Sequence, residues 1–310
     1  MTPFGEQDVP DLAGRCAIVT GANSGIGFEA ARVLAEHRAH VVLACRNAGK
    51  AKDALDGIRR AAPSARVEVR DLDLARLDSI RAFAARWNAE GTPLDLLINN
   101  AGVMAIPRLL TSDGFEMQLG TNHLGHFALT GLLLPRILAA PAARVVNVSS
   151  GAHRGGRIDF DDLHGERSYG RWRAYGQSKL ANLLFTFELG RRLAAKGASA
   201  IAVACHPGYA ATNLQFVAPR MDRSSLMESA MSLGNALLSQ SAARGALPTL
   251  YAATAADVKS GDYFGPDGFA ELWGAPKRVG CNDRALDVET ARRLWDVSET
   301  LTGVSYTELR

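Results

Sequence analysis

Six short apolar, β-forming runs recur along this chain: CAIVTG (16–21), HVVLACR (40–46), RVEVRDLD (66–73), LDLLINN (94–100), ARVVNVSS (143–150) and SAIAVACHPG (199–208). Segments with helical spacing alternate with them, over 25–38, 47–61, 76–89, 115–139 and 174–196. Most of the runs are apolar throughout instead of alternating. A strand covered on both faces reads that way, and such strands belong to parallel sheets. The alternation therefore predicts an α/β fold, a doubly wound parallel sheet with helices on both faces. No repeat, low-complexity segment or linker divides the 310 residues, so a single domain over 1–310 is expected.

In such a sheet, ligands bind outside the carboxyl ends of the strands, where the strand order reverses. The polar motifs of this chain fall there. TGANSGIG follows the first run, CRN the second, DLDL the third, NNAG the fourth, SS the fifth and HPG the sixth. Gly21, Gly25 and Gly27 form G-x-x-x-G-x-G at a strand-to-helix turn, with Asn23, Ser24 and Ile26 between them. Glycine permits the tight turn and removes a Cβ that would block a phosphate. The helix that follows would aim free N–H groups at that phosphate. Taken alone, the loop fits a well-packed turn equally well.

At the end of the second run, an acidic residue would bond a ribose 2′-hydroxyl, whereas an arginine accommodates a 2′-phosphate. The chain has Arg46, with Lys50 nearby and no acid, so NADP(H) is the expected cofactor. Asp73 and Leu74 follow the third run, where a carboxylate could accept from the adenine amino group and an apolar neighbour cover the ring. Asp71 competes for that place.

Tyr175 and Lys179 sit four residues apart in the helical segment AYGQSKLANLLFTFELGRRL and so share a face. A free phenol, with a pKa of ~10, is a poor base near neutrality. A neighbouring ammonium favours phenolate and lowers that value, which makes the pair a general acid/base candidate.

Y-x-x-x-K together with TGxxxGxG, NNAG, an upstream serine and a downstream PG resembles the short-chain dehydrogenase/reductase family over residues 13–215. RVVNVSSGAHRGGRIDFDDL, AYGQSKLANLLFTFEL and ELWGAPKR look like its retinol dehydrogenase-like branch, which includes the WW-domain oxidoreductase relatives. The resemblance implies a Rossmann-type sheet of about seven strands. It implies that Tyr175 exchanges the proton with the substrate oxygen, that Lys179 lowers the Tyr175 pKa and bonds the nicotinamide ribose, and that Ser150, rather than Ser149, polarises the carbonyl. Asn122 would position a lysine-bound water. Asn100, Ala101 and Gly102 would line the cofactor cleft, and Pro207, Gly208 and Thr212 would flank the nicotinamide.

The implied activity is NADP(H)-dependent interconversion of an apolar aldehyde or ketone and its alcohol. Two other readings are an NADP(H)-binding regulatory or scaffold protein and a carbon–carbon double-bond reductase related to protochlorophyllide reductase. Proteins of the regulatory kind often lose the Tyr or Lys, and here both are present. Residues 151–174 make a gap between Ser150 and Tyr175 that the retinol dehydrogenase-like branch shares. Within it, Asp159, Asp161, Asp162 and His164 read as a solvated acidic loop without metal-ligand spacing. Arg38 stands where many relatives carry glycine, and a left-handed backbone there would cost a Cβ-bearing residue energy.

Residues 213–245, rich in Leu and Met, are expected to form a substrate lid. Residues 261–310 are expected to form a C-terminal extension whose helix Asp287 could cap. Helices 115–139 and 174–196 carry much apolar surface, and the resemblance implies a homo-oligomer, dimer or tetramer, formed through them. A net charge of +3 gives no reason to expect nucleic acid. The four cysteines show no metal or disulfide pattern and read as reduced, mostly buried residues. The N-terminal stretch lacks an apolar signal core, and no apolar run reaches the ~18–20 residues of a membrane span, so a cytoplasmic location without a membrane anchor is expected.

Overall fold

Every residue of β1 (Cys16–Thr20) is buried, because the strand is covered on both sides. Ala17 and Val19 enter one core and Cys16 and Ile18 the other, as the two-residue period of a strand requires. This follows from a computed structural model that describes residues 3–209 and 240–310. Around β1 lie β2 (His40–Cys45), β3 (Val67–Asp71), β4 (Leu96–Asn99), β5 (Arg144–Val148), β6 (Ile201–Cys205), β7 (Tyr263–Pro266) and β8 (Pro276–Arg278). Their order is β3-β2-β1-β4-β5-β6-β7-β8. All neighbours pair in parallel except β7 and β8. The described sheet thus has eight strands where about seven were expected. β8 is a three-residue Pro-Lys-Arg edge strand, with no apolar run to announce it.

Helices α1 (Gly25–Glu36), α2 (Ala48–Ala61), α3 (Leu77–Glu90), α4 (Gly125–Leu138), α5 (Arg171–Ala195), α6 (Ala242–Thr254) and α7 (Val288–Thr302) flank the sheet. One core joins the sheet to α1, α2 and α6 through residues such as Leu34, Ile58 and Leu250. The other joins it to α3, α4, α5 and α7 through Trp87, Phe127, Phe185 and Trp295. Tyr306, beyond α7, is fully buried among Phe127, Phe185 and Trp295 and donates its hydroxyl to Phe127 O at 2.7 Å. Asp287 caps α7 by accepting from Glu289 N and Thr290 N.

The strand order reverses between β1 and β4, so their carboxyl ends border the crevice of this doubly wound sheet. Two helical readings change near it. The helix expected over 115–139 is interrupted: a short turn (Met117–Leu119) leads into a π-helical turn (Gly120–Leu124) before α4. Such turns relieve local packing and recur at functional sites. α5 starts at Arg171, so Tyr175 lies in its second turn and not at its beginning. Arg38 does take the left-handed conformation, with φ +72°. Its guanidinium is paired with Asp11, Nε at 2.7 Å from Oδ1 and Nη2 on Oδ2.

Candidate active site

The six strand ends open onto one cleft of about 400 Å³, reached by Gly21, Cys45, Leu72, Asn100, Val148 and Pro207. The glycine turn forms its floor. Gly21 has φ +66°, and a Cβ there would stand 3.0 Å from Ala101. A Cβ on Gly27 would lie 2.3 Å from Asn100 Nδ2 and 2.7 Å from Gly21 O. Gly27 is therefore required for the close approach of the β1–α1 and β4 loops, a packing role beyond room for a phosphate. Ser24 occupies the cap position of α1, yet its side chain makes no cap hydrogen bond. The first-turn N–H groups of α1 thus lack a side-chain acceptor at the cleft, an arrangement that suits an anion.

Asn23, Gly25 and Ile26 complete this floor, and Arg46, Asp73 and Leu74 line the cleft beyond β2 and β3. The Arg46 side chain is 70% exposed, and its Nη1 stands 3.8 Å from Asp73 Oδ1. Asp73 also closes a turn, its Oδ1 accepting from Ala75 N at 3.0 Å. Asn100, Ala101 and Gly102 form the middle. A Cβ on Gly102 would sit 2.9 Å from Asn122 Oδ1 and 3.6 Å from Lys179 Nζ, so the backbone there passes close to both.

At the β5 end, Tyr175 and Lys179 line the cleft although each is about 5% or less exposed. Lys179 Nζ donates to Val148 O at 3.0 Å and lies 5.8 Å from the centre of the Tyr175 ring. Burial pulls the Lys179 ammonium down to about 8. Burial pushes the Tyr175 phenol up to about 12, and a hydrogen bond from Ser150 acts in the opposite direction. The expected lowering of the phenol by Lys179 is therefore not what governs Tyr175 here. Desolvation governs, and the opposing effect comes from Ser150.

The two serines separate by their partners. Ser149 Oγ is buried and donates to Lys179 O at 2.8 Å. Ser150 caps the short helix Gly151–Gly155, accepts from Ala152 N at 3.2 Å and reaches the Tyr175 hydroxyl. Asn122 is buried beside the cleft in the π turn. Its Oδ1 accepts from Val103 N at 2.8 Å, and its Nδ2 donates to Val103 O and Ser178 Oγ, each at 2.9 Å. Pro207 lines the cleft. Gly208 N donates to His206 Nδ1 at 3.2 Å, while His206 Nε2 meets Glu271 Oε2 at 3.0 Å. Thr212 and most of the expected lid, residues 213–239, lie outside the described residues; 242–245 form the first turn of α6.

Residue-by-residue reading of the sequence missed a buried polar scaffold beneath this corner. Asn182 Nδ2 shares the Val148 carbonyl with Lys179, at 3.1 Å. Asn99 Nδ2 donates to Asn147 Oδ1 at 2.8 Å, and Asn147 Nδ2 to Thr186 Oγ1 at 3.0 Å. Polar residues inside otherwise apolar strand runs were the available signal, because a buried amide needs partners. The acidic loop after Ser150 is used locally: Asp162 accepts from the backbone of Glu166, Arg167 and Ser168. Among the described residues, no group of His, Cys, Asp and Glu could hold a metal ion.

A parallel-stranded crevice that joins a glycine turn to the Tyr175–Lys179 pair, with half-buried Ser150 beside the phenol, is the architecture of a dinucleotide-binding fold. The profile of the short chain dehydrogenase family matches residues 15–221. Retinol dehydrogenase 12 of Mus musculus is 44% identical over 297 residues, covering 95% of this chain and 88% of its own length. A crystal structure of an uncharacterized protein from Mycobacterium paratuberculosis superposes with a TM-score of 0.81 at 44% identity, covering 98% of this chain and 99% of the other. A Beutenbergia cavernae protein designated an NAD(P) dependent gluconate 5-dehydrogenase, crystallised with NADP at low occupancy, superposes with a TM-score of 0.62 at 26% identity, covering 84% and 96%. The chain belongs to the short-chain dehydrogenase family, in its retinol dehydrogenase-like branch. It is an oxidoreductase of a family that uses nicotinamide dinucleotides. No described helix is long and apolar enough to cross a membrane.

Proposed function

We propose that this protein interconverts an apolar aldehyde or ketone and its alcohol with NADP(H), using Tyr175, Lys179, Ser150 and Asn122. The observation that carries the reading is that buried Tyr175 and Lys179 line the same cleft as Arg46, with half-buried Ser150 hydrogen-bonded to the Tyr175 phenol. Bound NADPH would supply the hydride. Gly21, Asn23, Ser24, Gly25, Ile26 and Gly27 would hold the pyrophosphate against the start of α1, with Asn100, Ala101 and Gly102 beside it. Arg46 would take the 2′-phosphate, and Asp73 and Leu74 would border the adenine. Pro207, Gly208 and Thr212 would flank the nicotinamide.

In the reducing direction, Tyr175 donates its hydroxyl proton to the substrate oxygen while the Ser150 hydroxyl holds that oxygen. The phenol, kept protonated by burial, is suited to acid work at neutral pH. Lys179, still largely charged at neutrality, stabilises the phenolate left behind. Exposed apolar side chains adjoin residues that line the cleft: Trp172 packs edge-on against the Tyr175 ring, and Leu109 accepts a backbone hydrogen bond from Met117. These favour an apolar substrate.

The test is oxidation of NADPH, with NADH in parallel, against a panel of apolar aldehydes, ketones and quinones. Turnover with NADPH that collapses in Tyr175→Phe supports the reading. Tight NADPH binding without turnover on any member favours the regulatory alternative.

A further inference from the structure

His126 is fully enclosed in the first turn of α4, and both ring nitrogens are engaged. Nδ1 lies 3.0 Å from Asn122 O, and Nε2 lies 2.9 Å from Thr20 Oγ1. A carbonyl oxygen only accepts, so Nδ1 carries the proton. Burial holds His126 neutral, with its pKa down at about 4, so Nε2 accepts from the Thr20 hydroxyl; Ile98 O, at 3.3 Å from the same oxygen, is the more distant competitor for that one proton. The same hydroxyl oxygen accepts from Asn100 N at 2.9 Å and Ala101 N at 3.0 Å. One imidazole thus joins the end of β1, the loop after β4 and the π turn that presents Asn122. Among the described residues, it is the only side chain that bonds both Thr20, at the end of β1, and Asn122.

We propose that His126 is a positioning residue that couples two halves of the site: through Thr20 it sets the loop that borders the dinucleotide, and through Asn122 it sets the proton-handling corner. This rests on the proposed function in both halves, on its dinucleotide site for the first and on its proton transfer for the second. The two links are separable. An asparagine amide nitrogen occupies roughly the place of Nδ1, and a glutamine amide oxygen roughly that of Nε2. His126→Asn should keep the Asn122 link and lose the Thr20 link. His126→Gln should do the reverse.

The experiment measures NADPH affinity by calorimetry, turnover at saturating NADPH and the melting temperature for both variants beside wild type and Tyr175→Phe. His126→Asn is expected to weaken NADPH binding about 3- to 10-fold with turnover nearly kept, and His126→Gln to lower turnover by a similar factor with binding nearly kept, the worth of one buried hydrogen bond. Equal losses of both quantities in both variants, or no change in either, would overturn the proposal. Should a variant fail to fold, ¹⁵N-histidine spectra of the wild-type protein decide. The Nδ1–H tautomer at His126 is expected, and an Nε2–H tautomer would overturn the coupling. Loss of turnover in Tyr175→Phe establishes the proposed function separately. If Tyr175→Phe retains full turnover, that reading fails while the affinity and tautomer results still judge the Thr20 link.

Discussion

Two cations face the same cleft under opposite conditions. Arg46, beyond β2, is 70% exposed and has only a loose partner in Asp73. Lys179, in α5, is buried, donates to Val148 O and is drawn down to about 8 by desolvation. A solvated guanidinium can recognise a phosphate, but salt screens it. A buried ammonium is held in one place, and its charge becomes sensitive to pH near neutrality. The first arrangement suits selection between ligands, and the second suits chemistry at a fixed atom.

The comparison breaks first at Tyr175. Tyr175→Phe removes the proton donor and should lower turnover about 10²- to 10⁴-fold, while calorimetry finds NADPH affinity unchanged. Arg46→Ala comes next. It should weaken NADPH about tenfold and leave NADH untouched, a modest value for a charge-assisted bond because the side chain is solvated. Added salt should weaken NADPH binding to wild type more than to this variant.

The Lys179 side is sharpened by pH. Its folded value lies below the ordinary lysine value of 10.5. Reduction, which needs the charged form, should therefore fall as pH rises through about 8, and Lys179→Arg should remove that fall. Stability moves the other way. Between about 8 and 10.5 the unfolded chain binds the proton that the folded chain has lost, so this group's contribution to stability rises with pH across that window. Denaturant midpoints and initial rates measured over the same range should diverge. The smallest effect is expected far from the cleft. Arg38→Gly relieves a left-handed backbone but loses the exposed Asp11 pair, and should raise the melting temperature by about one to three degrees without altering turnover.

The parts of the molecule that were legible in the sequence share a physical cause. Strands covered on both faces must be apolar throughout, so β1, β2, β4, β5 and β6 stand out, and the motifs after them fall at the crevice. Tyr175 and Lys179 share a helix face because helical spacing dictates it. What was not legible depends on long-range contacts. The π turn at Asn122, the antiparallel β8 and the buried Asn99–Asn147–Thr186 chain each need a neighbour distant in sequence to take shape. The direction of the Tyr175 shift also escaped, since pairing on a helix face is visible in a sequence and the depth of burial is not. The place of His126 is not legible for the same reason: its partners, Thr20 and the Asn122 carbonyl, meet only in the folded chain.

The most direct test of the central claim follows an isotope. The protein would be given NADPH deuterated at the transferable position of the nicotinamide and an apolar α,β-unsaturated aldehyde, and the product read by mass spectrometry and NMR. Carbonyl reduction predicts one deuterium on the carbinol carbon, with the double bond intact. Deuterium on the β-carbon of a saturated aldehyde would contradict the account and point to double-bond reduction instead.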